Sequence, residues 1–115
     1  MRLTITDYDG AQDILTGVHD FTHLMSLPDQ GRDAPEGAES VEHRLLFQFD
    51  DITQYRQGYT LVSGADIERI IDFAGAIKRL KDAGQTVNLL CHCEAGISRS
   101  TSAAAIVLAV LMGPG

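Results

Sequence analysis

Apolar residues recur along the chain at two spacings, one typical of β-strands and the other of α-helices. Because the two kinds of segment alternate, the pattern predicts a three-layer α/β/α fold in which helices cover both faces of a mostly parallel sheet. The predicted strands are short apolar or β-branched runs at residues 3–6, 21–27, 45–49 and 87–91. The predicted helices lie at residues 10–15, 64–83 and 102–112.

Polar residues and glycines mark the ends of the predicted helices. Asp7 or Asp9 is expected to cap the first helix. Ser63 is the expected N-cap of the long helix, with Asp66 placed as in a capping box. Gly84 is expected to end that helix.

The long helix carries its apolar residues three and four positions apart. This spacing predicts a stripe on one side of the helix that packs into the core. The residues expected to be buried there are Ile67, Ile70, Ile71, Ala74, Ile77 and Leu80.

Residues 29–42, between the second and third predicted strands, are polar and follow neither spacing. Gly31, Pro35 and Gly37 interrupt any regular element there. We therefore expect a mobile surface loop, and a solvated connector rather than a binding loop.

Length and composition are those of one soluble globular domain, spanning residues 1–115. The apolar fraction is 44% and the charged fraction 22%. The net charge is −7 and Lys78 and Lys81 are the only lysines, so we expect no binding to nucleic acid or to an anionic membrane through the overall field. Any affinity for phosphate must come from a local arrangement of groups.

The sequence favours a cytoplasmic protein without a metal or other cofactor. The N-terminal residues contain no long apolar run, and the apolar segment at 103–112 is too short to span a bilayer. Cys91 and Cys93 are separated by one residue and are not expected to form a structural disulfide, which fits a reducing compartment. His19, His23 and His43 show no metal-ligand spacing with the carboxylates.

The candidate chemistry lies where the fourth strand runs through a loop into the last helix. Cys93 stands at the start of this loop and Arg99 at its end, with five residues between them. A strand that turns directly into a helix points the free N–H groups of the helix at the turn, which favours an anion and a thiolate there. The planar guanidinium of Arg99 can grip two oxygens of one tetrahedral anion. The pattern predicts phosphoryl transfer through a cysteinyl-phosphate.

The loop and its flanking residues read His92-Cys93-Glu94-Ala95-Gly96-Ile97-Ser98-Arg99-Ser100. This stretch resembles the signature loop of cysteine-dependent protein tyrosine phosphatases, and its second half resembles the dual-specificity branch of bacterial type. The resemblance implies a phosphatase-like fold and metal-independent hydrolysis of phosphate monoesters. The implied substrates are phosphoproteins carrying phosphotyrosine, with phosphoserine and phosphothreonine as further candidates, or small phosphate esters.

The resemblance also implies a role for each residue of the loop. Cys93 would be the nucleophile and Arg99 the phosphate fork, while His92 would support the loop and the thiolate through hydrogen bonds. Ser100 would bond the sulfur and ease its departure as thiolate. Gly96 would let the backbone approach the phosphate. The remaining residues would contribute mainly their backbone amides: Glu94, Ala95, Ile97 and Ser98.

Hydrolysis of a phosphate ester also needs an acid for the leaving oxygen and a base for water. Asp50 and Asp51 follow the third predicted strand, at the edge of a parallel sheet where ligands bind. The resemblance favours Asp51 in this role, with Asp50 as the alternative. Alternatively, either aspartate could have no catalytic role and serve only as a turn-forming residue.

Other functions stay open at this stage. A rhodanese-like sulfurtransferase uses a similar loop, although Asp51 and the Ser-Arg-Ser ending argue against it. A phosphate-binding module without turnover is also compatible with so short a chain. The simplest alternative is a buried cysteine at the end of a strand, with a surface arginine that caps a helix.

The last predicted helix is apolar on all sides, which is normal for a helix buried all round. In the phosphatases that this chain resembles, later helices help to cover this region, and the chain lacks them. We therefore expect the fold to be short at its C-terminus. One face of this helix should remain an exposed apolar patch, causing self-association or low stability.

Overall fold

The structure is a computed structural model that describes residues 1–28, 32–47, 64–94 and 98–113. These residues form an α/β domain with a four-stranded sheet in which every strand pair is parallel, so the expected parallel sheet is confirmed. The strands are β1 (Arg2–Thr6), β2 (His23–Ser26), β3 (His43–Leu46) and β4 (Asn88–His92). The α-helices are α1 (Tyr8–Leu15), α2 (Gly64–Asp82) and α3 (Ser98–Met112), and a short 3-10 helix lies at Ala38–Ser40.

Strand β4 lies inside the sheet, whose strand order is β1-β4-β2-β3. Cys91 on β4 is level with Ile5 on β1 and with Met25 on β2. Because the strands are parallel, their carboxyl ends form one edge of the sheet, which we call the carboxyl edge. The last residues of the strands stand level along this edge: Thr6, His92, Ser26 and Leu46.

The core consists of two apolar clusters that take successive residues of the same strands. Leu24 and Leu90 belong to one cluster, whereas Met25 and Leu89 belong to the other, because successive residues of a strand point to opposite faces. The first cluster packs on α1 and on the segment at 38–41. The second packs on α2 and α3 through Ile70, Ala74, Ile77, Ala103 and Val107.

Helix α1 begins at Tyr8, two residues earlier than the sequence predicted. Asp7 is its N-cap, and the Asp7 carboxylate accepts a 2.7 Å hydrogen bond from the Gly10 amide. This side chain satisfies one of the amides left free by the first turn, so the helix can begin directly after the cap. The prediction of a cap at Asp7 or Asp9 is therefore confirmed for Asp7.

Helix α2 ends as predicted at a glycine, but its buried stripe is narrower than predicted. Gly84 has φ +84, and the Gly84 and Gln85 amides donate to Lys81 and Leu80 carbonyls, the pattern of a Schellman cap. Ile70, Ala74 and Ile77 are buried and Leu80 is partly buried.

The predicted burial of Ile67 and Ile71 is wrong, since both side chains are exposed. At 100° per residue, the direction shared by Ile70, Ala74 and Ile77 leaves Ile67 at the margin and Ile71 well to the side. A stripe drawn through every apolar residue was therefore too wide. Ser63, the expected N-cap, lies outside the described residues.

The segment before β3 is not the surface connector predicted for residues 29–42. Its described part, residues 32–42, contains the 3-10 helix and buries Pro35, Ala38 and Val41. Gly37 has φ +92 and lies against α1, where an added Cβ would stand 2.6 Å from the main chain of Leu15. The glycine is therefore needed for close packing on α1 rather than for mobility.

Strands β2 and β3 are shorter than the predicted runs at 21–27 and 45–49, and β3 begins two residues earlier. Residues 48 and 49 lie outside the described part of the chain.

Helix α3 begins at Ser98 instead of Ser102, so its first turn is made from residues that the sequence assigned to the loop. Hydroxyl side chains suit the start of a helix as well as a loop, which is why the boundary was misplaced.

Candidate functional site

Cys93 follows β4 directly and therefore stands at the carboxyl edge of the sheet. The Cys93 side chain is only 2% exposed. Its sulfur lies 3.5 Å from the hydroxyl oxygen of Ser100, which is fully buried in the first turn of α3. Strand β4 and helix α3 thus bring together the two residues that the sequence paired as nucleophile and supporting hydroxyl.

Arg99 lies beside Ser100 in the first turn of α3 and is partly buried. One guanidinium nitrogen, Nη1, lies 3.4 Å from the carbonyl oxygen of Pro28, just beyond β2. Arg99 therefore also reaches the carboxyl edge of the sheet. Its position at a helix N-terminus adds a cation to a region that already favours anions.

His92 is fully buried and holds the main chain beside the nucleophile. Its Nδ1 lies 2.9 Å from the carbonyl oxygen of Cys93, and its Nε2 lies 2.6 Å from the hydroxyl of Ser26. A carbonyl can only accept, so Nδ1 must carry the proton. Burial lowers the pKa of His92 below its usual value, which favours the neutral ring. In that form Nε2 accepts a hydrogen bond from the Ser26 hydroxyl.

Cys91 lies inside β4 and is a core residue. It is fully buried, and its thiol lies 3.4 Å from the carbonyl oxygen of Ser100. Burial raises the pKa of the Cys91 thiol above its ordinary range. Cys91 is therefore held as an unreactive thiol next to the candidate nucleophile.

The sequence did not identify three residues that contact the neighbours of Cys93: Tyr8, Ser26 and Arg32. The Tyr8 ring meets the His92 ring edge-on, with centroids 5.5 Å apart. The Arg32 guanidinium lies over the Tyr8 ring, 3.8 Å from its centroid. Ser26 could have been found from the sequence, because it lies near the end of a predicted parallel strand. Arg32 gave no such signal within its polar segment.

Glu94 was predicted to contribute mainly its backbone amide, but its carbonyl and carboxylate groups also make contacts. Its carbonyl oxygen accepts a 3.0 Å hydrogen bond from the Tyr8 amide. Its carboxylate lies 3.2 Å from Nε of Arg32, and its side chain is 15% exposed. The first residue after Cys93 is thus attached to β1–α1 by its main chain and to residue 32 by its side chain.

Several predicted site residues lie outside the described part of the chain. They are Asp50, Asp51, Ala95, Gly96 and Ile97, and the side chain of Ser98 is likewise not described. The proposed acid and the middle of the phosphate loop therefore remain predictions from the sequence.

The described residues contain neither a metal-binding cluster nor a membrane-spanning helix. Within the ranges that the structure covers, no three His, Cys, Asp or Glu side chains are close enough together to hold a metal ion. None of the helices described here is both long and apolar enough to cross a lipid bilayer.

The chain matches no protein-family model, and comparisons with curated proteins and with solved structures find no match.

Proposed function

We propose that this chain is a metal-independent phosphatase of the cysteine-dependent, dual-specificity kind, which hydrolyses phosphate monoesters through a cysteinyl-phosphate. The observation that carries the proposal is the 3.5 Å approach of the Cys93 sulfur to the Ser100 hydroxyl, where β4 is followed by α3. The Cys-x5-Arg spacing supports it, because Arg99 belongs to the same helical turn as Ser100.

The proposed architecture is a single three-layer α/β/α domain of phosphatase type. The two apolar clusters support it, since they place α1 against one set of strand residues and α2 and α3 against the alternate set. In this arrangement the helices bury the sheet and leave its carboxyl edge for substrate.

In the first proposed step the Cys93 thiolate attacks the phosphorus of the ester. A sulfur–phosphorus bond forms as the bond from phosphorus to the leaving oxygen breaks. Arg99, the amides of the loop at 94–98 and the start of α3 would stabilise the charge on the phosphoryl oxygens. Asp51, or Asp50 in the alternative, would give the leaving oxygen its proton.

In the second step water attacks the phosphorus and the sulfur–phosphorus bond breaks. The same carboxylate, now ionised, would take the proton from the water, and inorganic phosphate would leave. The hydroxyl of Ser100 would donate to the sulfur as it regains its negative charge, which the 3.5 Å separation permits. The enzyme then returns to its starting protonation state without a metal or a cofactor.

The proposed substrates are phosphoproteins or small phosphate esters, and the proposed location is the cytoplasm. Neither Cys91 nor Cys93 forms a disulfide, as a thiolate nucleophile requires. The net charge of −7 means that attraction for the phosphate dianion would come from the local groups just described.

Hydrolysis of p-nitrophenyl phosphate in the presence of EDTA tests this proposal. We expect turnover by the wild-type chain, loss of turnover in Cys93→Ser, and inhibition by orthovanadate. The matched control is Cys91→Ser, which removes the neighbouring buried thiol and should retain measurable activity. Activity that depends on added metal, or that survives in Cys93→Ser, would contradict the proposal.

A parallel assay with thiosulfate and cyanide tests the sulfurtransferase alternative. Thiocyanate formation without phosphate release would replace the proposal with a rhodanese-like function. Protection of Cys93 by phosphate without turnover would instead indicate a phosphate-binding module.

A further inference from the structure

One residue from another part of the chain contacts the residues on both sides of Cys93. Tyr8 donates its amide proton to the carbonyl oxygen of Glu94, at 3.0 Å. Its ring packs edge-on against His92, whose own Nδ1 holds the Cys93 carbonyl. Tyr8 therefore contacts the residues immediately before and after the candidate nucleophile.

Arg32 holds the side chain of Glu94. The Nε atom of Arg32 lies 3.2 Å from the Glu94 carboxylate, and that side chain is 15% exposed. A carboxylate so little exposed loses most of its hydration and depends on its partners, of which Arg32 is one, so removing the arginine should loosen Glu94 in this position.

Tyr8 in turn fixes the position of Arg32. The guanidinium lies 3.8 Å from the centroid of the Tyr8 ring, close enough for a cation–π interaction. The Tyr8 hydroxyl donates to the carbonyl oxygen of Asp33 at 3.1 Å, which anchors the chain next to Arg32. The three residues thus close a ring of contacts: Tyr8 with Arg32 and Arg32 with Glu94 through their side chains, and Glu94 with Tyr8 through the main chain.

We propose that Tyr8, Arg32 and Glu94 form a clamp that fixes the start of the phosphate loop, and that Tyr8 and Arg32 are positioning residues for Cys93. The clamp joins three segments that are distant in sequence and meet at the carboxyl edge of the sheet. Its effect on turnover rests on the proposed function, but its effect on the main chain at Glu94 does not.

Glutamine at either end of the ion pair tests the clamp. In Arg32→Gln and in Glu94→Gln, we expect the phosphate concentration that halves alkylation of Cys93 to rise by about tenfold, because misplaced loop groups bind the anion less well. We expect kcat/KM to fall by a similar factor. The matched control Arg44→Gln removes an exposed arginine from β3 and should change neither quantity.

Combined variants separate the clamp from a general loss of positive charge. The Arg32→Gln/Glu94→Gln double variant should be no worse than either single one, because the two residues act as a pair. The charge swap Arg32→Glu/Glu94→Arg keeps the net charge but places a carboxylate over the Tyr8 ring, so it should restore only part of the phosphate protection. Additive losses, or a swap that is worse than both single variants, would overturn the clamp.

Tyr8 provides a second, independent test. Tyr8→Phe keeps the ring beneath Arg32 and should retain most phosphate protection, whereas Tyr8→Leu should lose it to about the same degree as Arg32→Gln. Equal losses in both variants would contradict positioning through the ring.

Hydrogen exchange of the Tyr8 amide distinguishes failure of the clamp from failure of the proposed function. In Arg32→Gln and Glu94→Gln this amide should exchange several-fold faster, since its acceptor at Glu94 is less firmly held. If the wild-type chain proves inactive but the exchange rate rises as expected, the clamp stands and the phosphatase proposal fails. Unchanged exchange in both variants overturns the clamp, whatever the activity.

Discussion

The two cysteines show how strongly position controls a side chain's chemistry. Cys91 and Cys93 are two residues apart, and both are buried. Cys91 lies within β4 with its pKa raised by burial, whereas Cys93 lies just past the strand, beside the Ser100 hydroxyl. Both sulfurs lie near Ser100, but the Cys91 thiol meets its carbonyl oxygen and the Cys93 sulfur meets its hydroxyl.

We predict that iodoacetamide labels Cys93 well before Cys91. The raised pKa of Cys91 keeps it protonated at neutral pH, and only the thiolate reacts quickly. Orthovanadate or phosphate should slow labelling of Cys93 and leave Cys91 unchanged. Peptide mapping by mass spectrometry after timed labelling measures both rates. Equal rates at the two cysteines would show that Cys93 is only a second core thiol.

A second prediction distinguishes the roles of the adjacent residues Asp50 and Asp51. Asp51→Asn should lower kcat by roughly 10²–10⁴, and Asp50→Asn by much less, because only the general acid protonates the leaving oxygen. The loss should shrink with a leaving group that needs little protonation. The opposite ranking would transfer the role to Asp50, and full activity in the double variant would exclude both.

Single residues also show what the sequence could and could not predict. Cys93, Ser100 and His92 could be identified because their spacing in one loop already determines that they are neighbours. Tyr8 and Arg32 could not, since they meet Glu94 only after β1 and the segment before β3 reach the same edge of the sheet. A local motif predicts its own members, but not the distant residues that hold it.

At the scale of whole elements, the stacked histidines of β2 and β3 couple the sheet to pH. His23 and His43 stand level on neighbouring strands, with ring centroids 4.4 Å apart, and Phe73 of α2 packs edge-on against His23. Burial, and to a lesser degree the charge of His43, lowers the pKa of His23 to about 4. The fold therefore favours the neutral form of this ring.

We predict that the domain loses stability as the pH falls from about 6.5 to about 4. In this range the unfolded chain binds a proton at His23 that the folded chain does not, so the free energy of unfolding decreases as pH decreases. The shift corresponds to about 3 kcal/mol at the low end of the range. The lowered pKa of His92 acts in the same direction.

Denaturant unfolding of His23→Gln across this pH range measures the contribution. The slope of unfolding free energy against pH should be smaller than in wild type, because a packing loss that is equal at every pH leaves the slope unchanged. His19→Gln, which alters a histidine outside the stack, is the matched control. An unchanged slope in His23→Gln would mean that His23 does not carry the effect.

The elements themselves were predicted better than their ends. The strand-and-helix alternation was enough to predict the parallel sheet, and Gly84 was enough to predict the end of α2. The start of α3 was not predictable in the same way, because helix propensity only weakly determines where a helix begins. The exposure of Ile71 was not predictable either, because burial depends on how the helix packs. The packed segment at 35–41 was missed because its fit depends on α1, not on its own sequence.

At the scale of the whole molecule, the outer face of α3 exposes apolar side chains, as the sequence predicted. Ala103, Ala104 and Val107 are buried, whereas Leu108 is 38% and Met112 81% exposed. The helix is therefore buried along one side only, and the other side is the exposed apolar face that was expected.

We predict that the chain self-associates through this face at high concentration. Leu108→Gln/Met112→Gln should shift the concentration dependence of sedimentation towards monomer, because it removes apolar area that association would bury. Ile71→Gln, which alters an exposed apolar residue of α2, is the matched control. A wild-type chain that remains monomeric at every concentration would contradict self-association.

The most direct test of the central claim is to trap the covalent intermediate. The chain is mixed with p-nitrophenyl phosphate, quenched in acid and mapped by mass spectrometry for a phosphoryl group. We predict phosphorylation of the Cys93 peptide alone, and more of it in Ser100→Ala, in which the sulfur loses the hydroxyl 3.5 Å away that would assist its departure. Turnover without phosphate on Cys93 in either protein, or phosphate on any other residue, would contradict the account.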